Sequence, residues 1–412
     1  MTQPDPADAV TRLAREEGGR VTAILAARFG DLDLADEAVQ EALVEAVATW
    51  PERGVPDNPA AWLLTVARNK ALDRLRRTTS AARRTRALAP DLLERDRPAD
   101  ERGLMVDDET VADEHLRLVL LCCHPALNRD AQVALTLRLV GGLTTTEIAA
   151  GYLVPEPTIT QRIVRAKRKI RTAGIPLAVP AALDERVDAL LQVLYLVFNE
   201  GYLSRGTDAV TRVDLADEAI RLTRLVRTLL PEAAEVAGLL ALELFQRARF
   251  ATRVDAEGTI LRLEEQDRRL WDTDLIDEGN RVLAQAIAAA RPGPYQLQAV
   301  IAAEHANART AADTDWSTIA TAYGQLAVIT GSPVVRLNQA VAVGMADGPL
   351  AGLALLDRVE GLAEYHLLHA AYGDLNARAG RPDEARAAFE RALGLTDNPA
   401  EQALLRSRIA GL

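Results

Sequence analysis

The chain has 412 residues with a formal net charge of −11, and only 4% of its residues are aromatic. This length exceeds what one compact core normally holds, so we expect roughly two to four domains. No apolar run approaches the roughly 20 residues that span a bilayer, and the polar start MTQPDPADAV does not resemble a secretory signal, so we expect a cytoplasmic protein without membrane contact. Helix-favouring residues are abundant and β-branched runs bounded by turns are rare, which predicts an all-α fold.

Periodicity and charge divide the chain into four predicted segments. These are a helical domain over 1–77, a flexible acidic linker over 78–111, a second small helical domain over 112–175, and a long run of amphipathic helices over 181–412. The linker prediction rests on Pro90, Pro98 and an excess of acids between Asp91 and Glu109. Bases and acids nearly balance before residue 176, so most of the net negative charge lies in the C-terminal part.

The segment ADEAVQEALVEAVATW has the apolar repeat of a buried helix face. The repeating residues are Ala35, Val39, Leu43, Ala46 and Trp50. The polar residues Asp36, Glu37, Gln40 and Glu41 lie on the other side, where they are typical of a solvated face.

Asn58 and Pro59 predict the start of the next helix, because asparagine caps free N–H groups and proline fits the first helical position. This helix is predicted to run to about Arg77, with Leu64, Ala67, Ala71 and Leu75 facing inward. The opposite side carries Trp62, Asn69, Asp73 and Arg76, flanked by Lys70 and Arg77. Such a row suits an opened DNA strand, since bases stack on aromatic rings and cations hold phosphates, but alone it also fits a solvated face.

Residues 143–171 have the pattern of a helix-turn-helix. Thr144 and Glu147 predict a capping box, with Leu143 and Ile148 as its hydrophobic staple. The second helix is predicted to bury Ile159, Ile163, Ala166 and Ile170 and to expose Thr158, Gln161, Arg162, Arg165 and Arg168. Glutamine and arginine can pair with base edges in the major groove, while Lys167, Lys169 and Arg171 are predicted to hold phosphates.

The two cysteines, Cys122 and Cys123, are adjacent and precede His124. Neighbouring cysteines rarely pair, and the sequence offers no second cluster of histidine and cysteine that would complete a zinc site. We therefore predict buried thiols on a helix, with no metal and no cofactor.

Two such modules in this order, separated by an acidic linker, resemble extracytoplasmic-function (ECF) sigma factors of bacterial RNA polymerase over about residues 10–175. The resemblance implies that Glu37, Gln40 and Glu41 bind the β′ clamp helices, although Glu37 and Leu43 replace the family's usual Asp and Phe. It implies contacts to the −10 promoter element from Trp62, Arg68, Asn69, Asp73, Arg76 and Arg77. The helix-turn-helix resembles region 4, which reads the −35 element beside the β flap, and Pro155 replaces the usual Ser or Thr cap.

Three segments after residue 181 resemble a subgroup of these sigma factors with a fused tetratricopeptide-like extension. They are YLVFNEGYLS at 195–204, QDRRLWD at 266–272, and the motif Asp347, Gly348 and Pro349. Aligning Ala385 with Ala351 and Phe389 with Leu355 gives a period of about 34 residues, which is the tetratricopeptide spacing. Such repeats usually bind a protein partner, although turn chemistry alone also explains these motifs.

Other functions are less well supported by the sequence. It contains no phosphate-binding loop, dinucleotide glycine pattern, HExxH motif or nucleophile elbow, so we do not expect an enzyme. A one-component helix-turn-helix regulator with a ligand- or protein-sensing C-terminal domain is the main alternative, but it does not explain the helix over 59–77. A repeat scaffold without DNA binding is a further alternative.

Overall fold

The computed structural model describes residues 6–86, 108–152, 154–179, 183–202, 209–253, 261 and 263–412, and these ranges contain helices and connecting turns but no strand. The predicted all-α fold is confirmed. The chain forms two compact units: the helices up to Leu229 belong to the first, and those after Leu230 belong to the second.

The first module of the first unit consists of α1 (Pro6–Phe29), α2 (Leu32–Arg53) and α3 (Pro59–Arg86). Asn58 caps α3 as predicted, because its side-chain oxygen accepts a hydrogen bond from Ala61 N at 3.0 Å. Helix α2 buries the whole predicted row from Ala35 to Trp50. In α3 the inner row differs from the prediction: Leu63, Ala67 and Ala71 are fully buried, Leu64 is half-buried and Leu75 is 39% exposed. The i, i+4 row through Leu63 is the one that joins the core of α1 and α2.

Part of the predicted linker 78–111 is helical. Helix α3 continues through Arg86, and α4 begins at Asp108. The sequence SAARRTR at 80–86 favours this continuation, because alanine and arginine are strong helix formers. The middle of the predicted linker, with Pro90 and Pro98, lies outside the described residues.

The second module contains α4 (Asp108–Cys122), α5 (Arg129–Leu135), a π-helical turn (Thr136–Val140), α6 (Thr145–Gly151) and α7 (Glu156–Thr172). The predicted capping box is confirmed: Glu147 N donates to the Thr144 hydroxyl at 3.1 Å, and Thr144 N donates to the Glu147 carboxylate at 2.7 Å. Burial would raise the pKa of Glu147, but the hydrogen bonds from Thr144 and the charge of Arg15 lower it overall.

Both cysteines are buried at the end of α4 as free thiols. Burial raises the pKa of the Cys123 thiol to about 12, so it is neutral near pH 7 and packs as a small apolar group. Within the described ranges, no group of three or more histidine, cysteine, aspartate or glutamate side chains is arranged to hold a metal ion.

Helices α8 (Leu183–Tyr202) and α9 (Ala209–Leu229) pack on the second module. Three arginines join the elements: Arg129 donates to Ala189 O at 3.1 Å, Arg186 donates to Leu120 O at 3.1 Å, and Arg221 donates to Gly141 O at 3.3 Å. The first compact unit therefore continues about two helices beyond the predicted domain boundary near residue 181.

The two modules approach each other through glycines. Helix α1 has Gly18 and Gly19 near its middle, where each glycine costs about 1 kcal/mol relative to alanine. A Cβ on Gly19 would lie 2.8 Å from Val140 O, and one on Gly142 would lie 2.2 Å from Ala14 O. The missing side chains at Gly19 and Gly142 therefore let the backbone of α1 contact the backbone of the second module.

His115 of α4 is buried at this junction, and its Nε2 atom has no hydrogen-bond partner. Burial, aided by Arg221 and Arg20, lowers the pKa of His115 to about 4. A base whose pKa falls on folding stabilises the protein fully above its unfolded pKa of about 6.5, and this contribution is lost as the pH falls toward 4.

We expect this histidine to remove about 3 kcal/mol from the free energy of unfolding between pH 7 and pH 4. Urea unfolding of the wild-type protein and of His115→Leu, followed by circular dichroism over this pH range, measures the effect. The variant should lose less stability than wild type by that amount, and parallel pH profiles for the two proteins would contradict the assignment.

The second unit begins with α10 (Ala234–Arg247), α11 (Thr273–Ala288), α12 (Pro294–Asn307) and α13 (Trp316–Thr330). It continues with α14 (Pro333–Ala346), α15 (Pro349–Leu356), α16 (His366–Arg378), α17 (Pro382–Leu393) and α18 (Pro399–Ala410). The pair α14 and α15 is followed by the pair α16 and α17 at a constant spacing, because the step from Pro333 to His366 equals the step from Pro349 to Pro382.

The predicted shift that aligns the last two helix pairs is one residue longer than the shift in the structure. The buried Ala385 and Phe389 of α17 correspond to the buried Gly352 and Leu356 of α15. The predicted counterparts, Ala351 and Leu355, are only half-buried. The register of the structure also superimposes the two prolines that begin α15 and α17.

Candidate nucleic-acid interface

Helix α7 carries the predicted reading face of the helix-turn-helix. Its four inner residues, Ile159, Ile163, Ala166 and Ile170, are buried as predicted. On the outer side Gln161, Arg165 and Arg168 are exposed, while Thr158 and Arg162 are half-buried. Exposed glutamine and arginine side chains on one helix face can form paired hydrogen bonds with base edges.

The start of α7 lacks a side-chain cap because Pro155 occupies the cap position. The helix nevertheless begins at Glu156, one turn after α6 ends, and the Thr145 hydroxyl donates to the Glu156 carboxylate at 2.9 Å. This bond connects the two helices of the motif.

Two bases of α7 contact groups in their own module. Arg162 forms an ion pair with Asp130 at 3.0 Å, and Lys169 donates to Ala126 O. Lys169 is exposed and Arg162 is half-buried, so both remain close to the surface beside the reading face.

Two other bases of α7 contact the first module. The Lys167 Nζ atom lies 2.5 Å from Asp36 Oδ2 and 3.7 Å from Asp33 Oδ1, and Arg171 pairs with Asp33. Lys167 is only 9% exposed, so in this arrangement it cannot reach a phosphate. Asp36, predicted on a solvated face, is buried and pairs with Lys167 of α7.

The outer face of α3 is only partly open. Asn69, Asp73, Arg76 and Arg77 are exposed, and Arg76 pairs with Asp73 at 3.5 Å. Trp62 is half-buried, with its ring edge-on to Trp50 at 5.3 Å between centroids, and Arg68 is half-buried as well. Trp62 therefore borders the core and is only partly open to solvent.

The polar side of α2 adjoins α3 through ion pairs. Arg74 of α3 binds Glu37 and Glu41, and Lys70 binds Glu45 at 2.6 Å. The hydrogen bond to Glu45 raises the pKa of Lys70. Gln40 is half-buried on the same side.

Two valines of α2 add an apolar component that the sequence reasoning missed. Val44 is 69% exposed and Val47 is 58% exposed. Val44 lies one turn after Gln40, so acids, an amide and valines form a mixed stripe on the surface of α2. The sequence already contained this signal, because Val44 and Val47 fall outside the predicted buried row of α2.

Two motifs of the second unit have structural roles, one as a turn between helices and the other around a buried tryptophan. Asp347 ends α14, Gly348 adopts a φ of 102°, and Pro349 begins α15, so the three residues form the turn between two helices. Trp271 is buried and its Nε1 donates to Thr252 at 2.8 Å.

Comparison with known proteins agrees with this geometry. Residues 13–81 match sigma-70 region 2, residues 117–170 match sigma-70 region 4, and residues 186–287 match DUF6596, a family of unknown function. The uncharacterized protein R00370 of Rhizobium meliloti (strain 1021) is 44% identical over 386 residues, which cover 92% of this chain and 90% of that protein. This chain belongs to the family of R00370 and carries sigma-70 regions 2 and 4. The two sigma-70 regions support a sigma-factor-like role in transcription initiation and imply binding to RNA polymerase core and promoter DNA.

A distant relative points to the same class. ECF RNA polymerase sigma factor SigK of Mycobacterium ulcerans (strain Agy99) is 29% identical over 154 residues, which cover 37% of this chain and 78% of SigK. No solved structure matches the chain. Across the residues that the structure describes, no helix is both long enough and apolar enough to cross a membrane.

Proposed function

We propose that this chain is an ECF-type sigma factor that binds core RNA polymerase and directs initiation at specific promoters, with the helices after α7 acting as a regulatory domain in cis. One observation carries the proposal. The first unit combines a helix-turn-helix that exposes Gln161, Arg165 and Arg168 with a second helix that exposes Asn69 and Arg76. A protein that reads only duplex DNA needs the first surface and not the second.

The proposed division of roles follows the surfaces. The stripe with Glu37, Gln40 and Glu41, extended by Val44, binds the β′ clamp helices. The −10 strand contacts α3 through Trp62, Arg68, Asn69, Asp73, Arg76 and Arg77. The −35 duplex contacts α7 through Thr158, Gln161, Arg162, Arg165 and Arg168, with phosphates held by Lys169 and Arg171, and with the β flap beside region 4.

The extension is proposed to be tetratricopeptide-like and to bind a protein partner. Support comes from the two helix pairs, whose constant spacing is close to the roughly 34 residues typical of such repeats. The turn at Asp347, Gly348 and Pro349 joins α14 to α15, the two helices of the first pair. A one-component regulator remains the alternative, and it predicts tight promoter binding without polymerase.

Reconstitution with bacterial core polymerase tests the proposal. The full chain is expected to bind core polymerase and to start transcription at defined sites, which sequencing of the transcript starts identifies. Val44→Asp should weaken core binding at least about tenfold, since an added carboxylate at an apolar contact adds a desolvation penalty of about 1.4 kcal/mol or more.

Val179→Asp provides a matched control, because this valine is also exposed but lies between α7 and α8. It should bind core polymerase like the wild-type protein. Failure of the wild-type chain to associate with core polymerase, or equal losses in both variants, would contradict the proposed function.

A further inference from the structure

We propose that a groove in the second unit binds a small organic acid, whose apolar body lies in the groove and whose carboxylate pairs with Arg291. The inference does not rest on the proposed function, because it concerns α11, α12, α13 and the loop between the first two of them. It gives the extension a small-molecule site in addition to the proposed protein partner.

The groove has the size and the lining of a ligand site. Its volume is about 440 Å³, within the roughly 300–1,000 Å³ that is typical of small-molecule sites. Among its lining residues, Leu297 and Ala322 are buried and Val300 is half-buried. Ile287 of α11 lines it as well and is 54% exposed. Such a lining favours a ligand whose body is apolar, because burial removes apolar surface of both partners from water.

Three exposed polar side chains line the groove without a hydrogen-bond partner or an ion pair among the described residues. They are Arg291, Ser317 and Gln325. Within the described lining, Arg291 is the only charged residue. A planar guanidinium can form two parallel hydrogen bonds with one carboxylate, so an organic acid complements the groove in charge as well as in polarity.

The loop that carries Arg291 is held in place by hydrogen bonds within the protein. Gln296 Nε2 donates to Arg291 O at 2.7 Å and to Glu235 Oε1 at 3.1 Å. Pro292 and Pro294 further restrict the backbone of this loop, because their rings fix φ. A site whose backbone is already ordered loses less conformational entropy when a ligand binds.

The backbone next to Arg291 is strained. Ala290 has a left-handed φ of 52°, and no other residue besides glycine has a positive φ in the ranges that the structure describes. Helices usually place glycine in this conformation at their ends, as α13 does with Gly331. Ala290 lines the groove, and strain of this kind is concentrated at ligand-binding sites. The strain is therefore a second observation that favours a binding site here.

A fluorescence titration of the full-length chain tests the site. The probe is 8-anilinonaphthalene-1-sulfonate, an aromatic anion that reports binding to apolar surface. The competitors are 4-phenylbutyrate and 4-phenylbutanol, which share an apolar body and differ in the carboxylate. Their comparison measures the contribution of the charge separately from that of apolar burial.

Two variants alter the groove, and a third is a matched control. Arg291→Gln removes the cation, and Thr321→Trp places a large ring in the groove. Arg281→Gln removes an arginine that is also exposed and that lies on α11 outside the groove. None of the three replaced side chains is buried, so all three variants are expected to fold.

We expect phenylbutyrate to displace the probe from the wild-type chain at a concentration at least about tenfold lower than phenylbutanol, because only the acid pairs with the guanidinium. Arg291→Gln should weaken probe binding by about tenfold and make the two competitors equivalent, since the same charge-assisted contact is lost. Thr321→Trp should abolish probe binding, because the indole occupies the groove. Arg281→Gln should stay within about twofold of wild type, since solvent and salt screen a distant exposed charge.

Equal displacement of the probe by acid and alcohol from the wild-type chain would overturn the proposal. Absence of probe binding to that chain, or unchanged probe binding in either groove variant, would also overturn it. Equal losses in Arg291→Gln and Arg281→Gln would show that the probe responds to overall charge and not to this groove. All of these measurements are made without polymerase, so their failure leaves the proposed function unaffected.

Discussion

Arg165→Ala is expected to lower transcription from a promoter with an intact −35 element by about tenfold to a hundredfold. Arg165 is exposed on the outer face of α7, and one good bidentate contact to a base contributes about 1–3 kcal/mol of discrimination. Transcription in vitro with reconstituted holoenzyme measures the loss. Arg162→Ala should give a smaller loss, since Arg162 is half-buried and already paired with Asp130.

A promoter with an altered −35 element provides the control for Arg165. If Arg165 reads that element, its removal costs little on a promoter whose −35 bases are already wrong, because the two changes remove the same interaction. An equal proportional loss on both promoters would show that Arg165 acts elsewhere. Such a result would reassign the reading face of α7 and leave the first module unaffected.

The parts of the fold that follow from local rules could be predicted from the sequence. The buried row of α2 and that of α7 follow from helical periodicity, and the cap of α6 follows from Thr144 and Glu147. Each of these features depends on residues within a few turns of one another. A single sequence contains all the information that such features require.

Contacts between distant segments could not be predicted in the same way. Asp36 and Lys167 are 131 residues apart, and each lies on a polar helix side that is typical of a solvated face. Nothing in either helix indicates that these two side chains meet. The Gly18 and Gly19 pair in α1 is a local sign of a close contact, since helices rarely tolerate two adjacent glycines without a packing reason.

The C-terminal part shows the limit of repeat analysis on one sequence. Sequence alignment pairs Ala385 with Ala351. The pattern of buried positions instead pairs Ala385 with Gly352, one position further along α15. The match to DUF6596 begins within α8, and the structure packs α8 and α9 on region 4. Composition does not distinguish these two helices from those that follow, so this association becomes visible only in the packing.

Trp50→Ala is expected to destabilise region 2 by about 3–5 kcal/mol, because it leaves a large cavity in a core that cannot fully collapse. Trp50 is 2% exposed and supports the edge of Trp62. Hydrogen exchange of the α2 and α3 amides should become faster by at least about a hundredfold, which corresponds to the lower end of this range. Amide exchange rates within tenfold of the wild-type rates would contradict this prediction.

Trp50→Phe separates packing from hydrogen bonding. The Nε1 atom of Trp50 has no hydrogen-bond partner, so phenylalanine loses volume but no bond, and its effect should be clearly smaller than that of alanine. Because Trp62 rests on Trp50, alanine at position 50 should also weaken strand opening at the −10 element more than binding to duplex DNA at the −35 element. Permanganate reactivity of unpaired thymines in the holoenzyme complex measures the first effect. Equal losses of both activities would mean that Trp50 holds region 2 together without orienting Trp62 toward the bases.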